Sequence, residues 1–353
     1  MTTRIATTTL LLGMLLALAP AASAQQNVTP DTDVETEKRA QTGMKFLSMS
    51  VDPRAAALGG AVTADIYGSS ASLFYNPASM AQMPGDFHAK AGVMAFITDI
   101  NYNNASIAYR PAGGSYGVVG LSFVSVDYGD FMGTVRANNE QGFVETGNYS
   151  PSAFAVGLGY ARAFTDRFSA GAQVKYAFQD IGDDFITDQD FDSGAVESTE
   201  SYSKGTVAVD FGIVYATGFE SLVIAMSARN FAQELTYVRE RFELPLTFQI
   251  GAAMNLMDLT SLNPEMHQLN LHLDAQRPRD FDEHIRFGLE YGFMDMVFLR
   301  GGFEQLGVSE EQGVSFGAGL QVGLQGFAFG ADYAYTDFGL FGNVNRIALQ
   351  VGF

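Results

Sequence analysis

From Phe87 to the end of the chain, apolar residues alternate with small or polar ones in runs of about ten to fourteen. A period of two belongs to strands whose two faces meet different surroundings. Between Gln325 and Thr336, Phe327, Phe329, Ala331, Tyr333 and Tyr335 share one face, and Ala328, Gly330, Asp332 and Ala334 share the other. Between Arg286 and Gly292, Phe287, Leu289 and Tyr291 oppose Arg286, Gly288, Glu290 and Gly292. The chain closes with Ile347, Leu349, Val351 and Phe353 against Arg346, Ala348, Gln350 and Gly352. Fourteen such segments are predicted, at 87–98, 101–110, 115–127, 152–164, 167–180, 204–216, 220–230, 244–257, 265–275, 284–293, 295–304, 313–323, 325–336 and 344–353. Soluble strands usually have about five or six residues. Roughly ten residues tilted by about 40° cover about 25 Å, the apolar band of an outer-membrane barrel.

The gaps between segments carry a second signal. Connections after segments 2, 4, 6, 10 and 12 are tight, whereas 128–151, 181–203, 231–243, 276–283, 305–312 and 337–343 are long. Alternating short and long connections around an even-stranded meander gathers the short turns on one rim, which is periplasmic in outer-membrane barrels. Two connections depart from this rule, a short one after segment 1 and a longer one at 258–264. A soluble sandwich or propeller would bury both strand faces or show repeat motifs, and neither pattern is present. The expected fold is all-β: a 14-stranded antiparallel transmembrane β-barrel, apolar toward lipid, small and polar toward the lumen. Closure leaves no unpaired edge in lipid.

Composition narrows the partners. The 353 residues hold 39 acidic and 20 basic side chains, a net charge of −19, and no cysteine. Nucleic acid is excluded as a partner, because phosphate binding needs a basic face. The lack of cysteine excludes disulfides, thiolate metal sites and cysteine nucleophiles. Arg4, the apolar run Leu10 to Ala19 and the small residues Ala22-Ser23-Ala24 form a secretory signal peptide with cleavage expected before Gln25. The expected organisation is a signal peptide at 1–24, a polar leader at 25–42, an N-terminal plug at 43–85 and the barrel at 86–353.

The most specific words lie ahead of the alternating region. Phe46-Leu47 precedes Val51-Asp52-Pro53-Arg54-Ala55-Ala56-Ala57-Leu58-Gly59-Gly60-Ala61, and Ser72-Leu73-Phe74-Tyr75-Asn76-Pro77-Ala78 follows. This stretch resembles the PorV/PorQ family of outer-membrane barrels, related to the fatty-acid transporter FadL. The resemblance implies a FadL-like barrel around a small N-terminal plug, working in or beside the type IX secretion system. Arg54, Gly59, Gly60, Asn76, Pro77 and Ala78 are then the plug motif. Family members often carry an acidic pair before the Asn-Pro-Ala turn, and here that stretch is Asp65-Ile66-Tyr67-Gly68-Ser69-Ser70-Ala71. The residues make sense on their own terms. Gly59-Gly60 permits close backbone approach, and Pro77 forces Asn76 out of the helical region. Arg54 is a cation headed for a lumen, and Asp210, Glu290 and Asp332 are the candidate partners. The terminal Phe353 resembles the signal read by barrel-assembly machinery.

Enzymatic chemistry is not expected. The four histidines form no metal-binding spacing, since His267 and His272 are five apart and face opposite ways on a strand. No nucleophile elbow or phosphate-binding loop is present. Asp188-Gln189-Asp190-Phe191-Asp192 imitates the start of a calcium loop, but Ser193 and Thr199 stand where glycine and glutamate are needed. The reading is a non-enzymatic barrel without cofactor or metal, exported to the bacterial outer membrane. Its expected partners are outer-membrane lipid and lipopolysaccharide, secretion-system proteins and their cargo, and the barrel-assembly machinery. The alternative is a FadL-like transporter of hydrophobic small molecules, which would need an apolar pocket beside 43–81. Inward charges (Lys175, Asp210, Arg229, Asp274, Arg286, Glu290, Arg300, Glu304, Arg346) are expected to form networks across the lumen or against the plug.

Overall fold

The computed structural model describes residues 42–187, 196–237, 240–260, 266–306 and 313–353. The predicted signal peptide and nearly all of the polar leader lie outside them, as do Asp188, Asp190 and Asp192. In chain order the strands are β1 (Phe87–Ala95), β2 (Asn101–Tyr109), β3 (Val118–Asp127), β4 (Phe131–Arg136), β5 (Phe143–Tyr149), β6 (Ser152–Ala163), β7 (Phe168–Thr187), β8 (Val196–Ala216) and β9 (Val223–Ala232). There follow β10 (Leu235–Thr236), β11 (Arg241–Phe242), β12 (Thr247–Asn255), β13 (His267–Pro278), β14 (His284–Phe293), β15 (Val297–Leu306), β16 (Val314–Leu324), β17 (Phe327–Asp337) and β18 (Asn343–Gly352).

Fourteen of these strands close into an antiparallel barrel in which β1 pairs with β18, from His88↔Gly352 to Ala95↔Asn345. The fourteen predicted segments are these fourteen strands. Alternation holds in the folded chain: Leu299, Phe316 and Leu349 are 57%, 58% and 65% exposed, while Glu290, Arg346 and Ala348 on inward positions are 1%, 2% and 1% exposed. So broad an apolar exterior suits hydrocarbon and not water.

Two predicted loops prove to be ladders. β7 and β8 run past 180 and begin before 204, pairing from Asp183↔Ser201 to Thr187↔Val196 as a ribbon above the barrel. The 128–151 connection folds into the β4–β5 hairpin, with Phe131 stacked on Tyr149 at 5.8 Å. Both faces of the β4–β5 hairpin are largely exposed, so its sequence has no reason to alternate. The β10–β11 pair is a smaller hairpin inside 231–243.

Residues 43–85 pass through the barrel. At the long-loop rim the Gly43 N–H donates to the Glu243 carbonyl (2.9 Å), and at the short-turn rim the Asp86 N–H donates to the Phe353 carbonyl (2.7 Å). The segment is built of short turns. Its one α-helix, α1 (Pro53–Ala57), has proline at its first position and Asp52 as N-cap, accepting from the Ala55 N–H at 3.1 Å. Asn76 caps the 3₁₀ turn Pro77–Gln82 in the same way, accepting from the Ala78 N–H at 3.1 Å.

Near the long-loop rim, Met44, Phe46 and Val51 pack with Met94, Tyr102, Leu244, Phe338 and Val344. Lower down, Leu73, Met80 and Met83 pack against Ala108, Val118 and Ala161. Inward glycines make the room. A Cβ added at Gly288 would lie 2.7 Å from the Leu58 carbonyl oxygen, and one at Gly171 would lie 2.7 Å from the Ala78 nitrogen. Gly159 leaves the space that Leu73 occupies, and Gly317 lies against Ala57.

Candidate functional site: an ion chain and a cup at the short-turn rim

α1 sets Arg54 against the barrel wall. Its guanidinium donates to Glu290 of β14 through Nε (3.0 Å) and Nη2 (3.1 Å), and through Nη1 to Asp65 (2.9 Å). Glu290 also accepts from Arg300 of β15 at 2.6 Å. Arg300 donates to Asp332 of β17 at 2.6 Å, and Lys90 of β1 binds Asp332 at 2.9 Å and Asp52 at 2.5 Å. One unbroken chain therefore runs Asp65–Arg54–Glu290–Arg300–Asp332–Lys90–Asp52, from the inner segment into the wall and back to the helix cap. Of the three partners foreseen for Arg54, Glu290 bonds it directly and Asp332 joins it through Arg300. Asp210 sits elsewhere, paired with Lys175 at 2.7 Å and bonded to the Asn230 N–H at 2.7 Å.

Burial alone would lower the pKa of Arg54, but Asp65 and Glu290 outweigh it and hold the guanidinium well above its usual range. Burial pushes the Asp65 carboxyl above the usual carboxylate range despite Arg54. Burial, and secondarily the Asp52 carboxylate, lifts the Tyr75 hydroxyl to about 12. That hydroxyl accepts the Asp52 N–H at 3.1 Å.

Other inward charges grip the backbone of the inner segment. Arg346 donates to the Ser50 carbonyl (2.8 Å), Arg229 to the Phe74 carbonyl, and Asp274 accepts the Thr63 N–H (2.9 Å). Arg286 and Glu304 pair between β14 and β15 at 2.6 Å.

The remaining motif residues take definite places. Gly59 and Gly60 end α1 with φ of +64° and +78°, and a Cβ at Gly59 would lie 2.8 Å from the Phe303 backbone nitrogen. Only glycine adopts that conformation at little cost, and here the wall also comes too close for a side chain. Asn76 is fully buried and donates to the Thr63 carbonyl (2.8 Å) and the Ile213 carbonyl (3.3 Å). Pro77 and Ala78 are buried beside it against the β7 glycine Gly171. Phe353 lies at the short-turn rim, stacked on Phe87 at 5.0 Å and edge-on to Phe327 at 5.5 Å.

Sequence reasoning missed Asp52, Asp65 and Lys90 as members of the chain. The signal for Lys90 was available: it is a lone cation on the His88, Gly92, Met94 face of β1. Nothing local marked Asp65 or Asp52 as ion-paired. His272 points inward and is 1% exposed, while His267, on the opposite face, bonds the Tyr291 hydroxyl at 2.8 Å. Among the described residues no group of three or more histidine or acidic side chains could hold a metal ion.

Below the ion chain the lumen opens into a cavity of about 810 Å³ that faces the short-turn rim. The chain forms its floor, Tyr67 and Phe298 stand at its sides, and Gln268, Asp295 and Gln325 lie near its mouth. Toward the long-loop rim, the spaces beside the segment measure about 70 and 40 Å³. A further space of about 390 Å³ lies among the long-loop residues 230–234 and 243–246, away from the inner segment. Around the segment itself the interior is a cup, wide at the short-turn rim and packed toward the other.

The family model of the type IX secretion system membrane protein PorP/SprF matches residues 131–346. The chain belongs to this family. The match begins after the residues that resemble PorV/PorQ, so it covers β4 to β18 and not the inner segment. No curated protein matches the chain. Among solved structures, the chain is similar to the Pseudomonas putida toluene transporter TodX at 12% identity, with a TM-score of 0.55 over 85% of this chain and 96% of that one. It is also similar to a Pseudomonas aeruginosa FadL homologue at 10% identity, TM-score 0.53, over 86% and 98% of the two chains. The Ralstonia pickettii toluene transporter TbuX gives 12% identity and a TM-score of 0.51 over 85% and 96%. At this identity the likenesses are of fold alone: a closed barrel of the FadL type.

Proposed function

We propose that the protein is a non-enzymatic, occluded outer-membrane component of type IX secretion that hands over or anchors cargo through its rims instead of conducting solutes through its lumen. Residues 43–85 act as its plug. The observation that carries this reading is the ion chain, which binds the inner segment directly to β14 and β1 and through them to β15 and β17. Breaking a buried ion pair by removing one partner costs about 3–5 kcal/mol, so a plug held this way is a fixture and not a gate. Partners would then meet the β4–β5 hairpin and the β7–β8 ribbon on the outside, and the cup on the periplasmic side.

The runner-up is transport of hydrophobic small molecules, the activity named for TodX and TbuX. It needs an apolar pocket beside the inner segment. The large cavity there has apolar sides, among them Val62, Phe298, Phe327 and Phe353, but Asp52, Arg54, Asp65, Lys90, Glu290, Arg300 and Asp332 also line it. An apolar guest would have to cover ionised groups without pairing them, which is costly.

The test is a deletion strain assayed for secretion-signalled cargo. Cargo held in the periplasm supports the proposal. Normal surface display of that cargo, together with lost uptake of a hydrocarbon, would favour the runner-up.

A further inference from the structure

The ion chain does not balance. Asp65, Glu290, Asp332 and Asp52 supply four carboxylates, whereas Arg54, Arg300 and Lys90 supply three cations. Each cation is already shared between two carboxylates. Arg346 faces the Asp52 end from outside the cup, so the carboxylate left short of charge within the cup is Asp65, whose one cation Arg54 is shared with Glu290. Asp295, on the β14–β15 turn at the mouth of the cup, adds a fifth carboxylate whose hydrogen bond is to the Gln268 amide (2.7 Å) and not to a cation. A cavity with low-dielectric walls focuses the field of such charges outward through its opening.

We propose that the cup is a docking site for a basic polypeptide segment of a partner protein, whose lysine or arginine side chain enters at the short-turn rim and balances the excess carboxylate charge of the ion chain. The cavity, at about 810 Å³, has the size of a ligand site, and its lining reaches the short-turn rim at Asp295, Gln325 and Gly326. Tyr67 and Phe298 line it and suit the aliphatic stem and charged head of such a side chain. Phe298 already lies 5.3 Å from the Arg300 guanidinium, so that ring has accepted a cation once. Charge excludes an anionic lipid headgroup or a phosphate, and the ionised floor excludes a hydrocarbon.

The inference rests on the proposed function only for which compartment the rim faces. Binding is measured on purified protein, so cargo secreted normally in a deletion strain would defeat the function and leave the affinity standing.

The experiment uses the full chain in detergent micelles and a fluorescent peptide of alternating leucine and lysine, read by anisotropy at physiological ionic strength. Saturable binding is expected, weakened about tenfold or more in the Asp65→Asn/Asp295→Asn variant. A lysine-acetylated peptide should not bind, and Asp99→Asn/Asp337→Asn on the opposite rim, both exposed and outside the cup, should leave affinity unchanged. Heat-modifiable gel mobility reports folding. If Asp65→Asn does not fold, Asp295→Asn alone, at the exposed mouth, must still weaken binding severalfold. Equal binding of the acetylated peptide, unchanged affinity in the cup variants, or an equal loss in the opposite-rim variant would each overturn the proposal.

Discussion

Glu290→Gln is the sharpest single perturbation of the ion chain. Glu290 is 1% exposed and accepts from Arg54 twice, at 3.0 and 3.1 Å, and from Arg300 at 2.6 Å. The amide keeps the volume but removes the charge between two guanidinium groups. An uncompensated buried cation costs about 3–5 kcal/mol, and here two cations lose one partner. Roughly two to four orders of magnitude in the folding equilibrium should follow, since about 1.4 kcal/mol is tenfold. Urea unfolding of the purified barrel in liposomes, followed by tryptophan-free tyrosine fluorescence and gel mobility, measures the loss. The exposed pair Arg277–Glu283, at 2.8 Å, supplies the control. Glu283→Gln should cost no more than about 1 kcal/mol. Arg54→Gln should cost less than Glu290→Gln, because Glu290 keeps Arg300 and Asp65, its carboxyl already raised by burial, takes up a proton. Equal stability of wild type and Glu290→Gln would refute the claim that the chain fastens the inner segment.

Gly59→Ala should destabilise by at least the roughly 1–2 kcal/mol of a left-handed residue, with the Phe303 backbone contact adding to it. Gly323→Ala, with open space around it, should stay within about 0.5 kcal/mol in the same unfolding assay. The Tyr75 hydroxyl, lifted by burial to about 12 from an ordinary value near 10, titrates later in the folded than in the unfolded chain. Its stabilising contribution is complete below about pH 10 and is lost as pH rises toward 12, a fall of about 2–3 kcal/mol. Tyr75→Phe should flatten that part of the stability–pH curve. Phe353→Ala removes stacking on Phe87 and Phe327 and should lower the amount of folded, heat-modifiable barrel in outer-membrane fractions.

The barrel was legible because lipid and lumen impose two environments on every strand, and a residue such as Leu349 beside Gln350 records both. The same logic explains where legibility ended. The β7–β8 ladder continues past the alternating segment, and the period of two disappears from the sequence from Ile181 onward. The turns of the inner segment were visible in Gly59-Gly60 and Asn76-Pro77, whose backbone restrictions are local. The ion chain was only half visible. Arg54 advertised its need for an acid, but the choice between Asp210, Glu290 and Asp332 depends on how the segment is rotated inside the barrel. Lys90 and Asp332 are 242 positions apart in sequence and reach across the closing strands β1 and β18, a contact that no local pattern encodes. The cup follows from the same packing and left no mark in the sequence.

The central claim is an apolar exterior around an interior packed at one end and open at the other. The absence of native cysteine makes single-cysteine scanning of β17 a direct measurement of it. Nitroxides at Ala331 and Tyr333 should be reached by oxygen dissolved in lipid, and those at Ala328 and Gly330 by a water-soluble nickel complex entering the cup. A cysteine at Ala334, which packs on α1, should stay unlabelled in the folded protein. Ready labelling at Ala334, or oxygen access without alternation along the strand, would contradict the account.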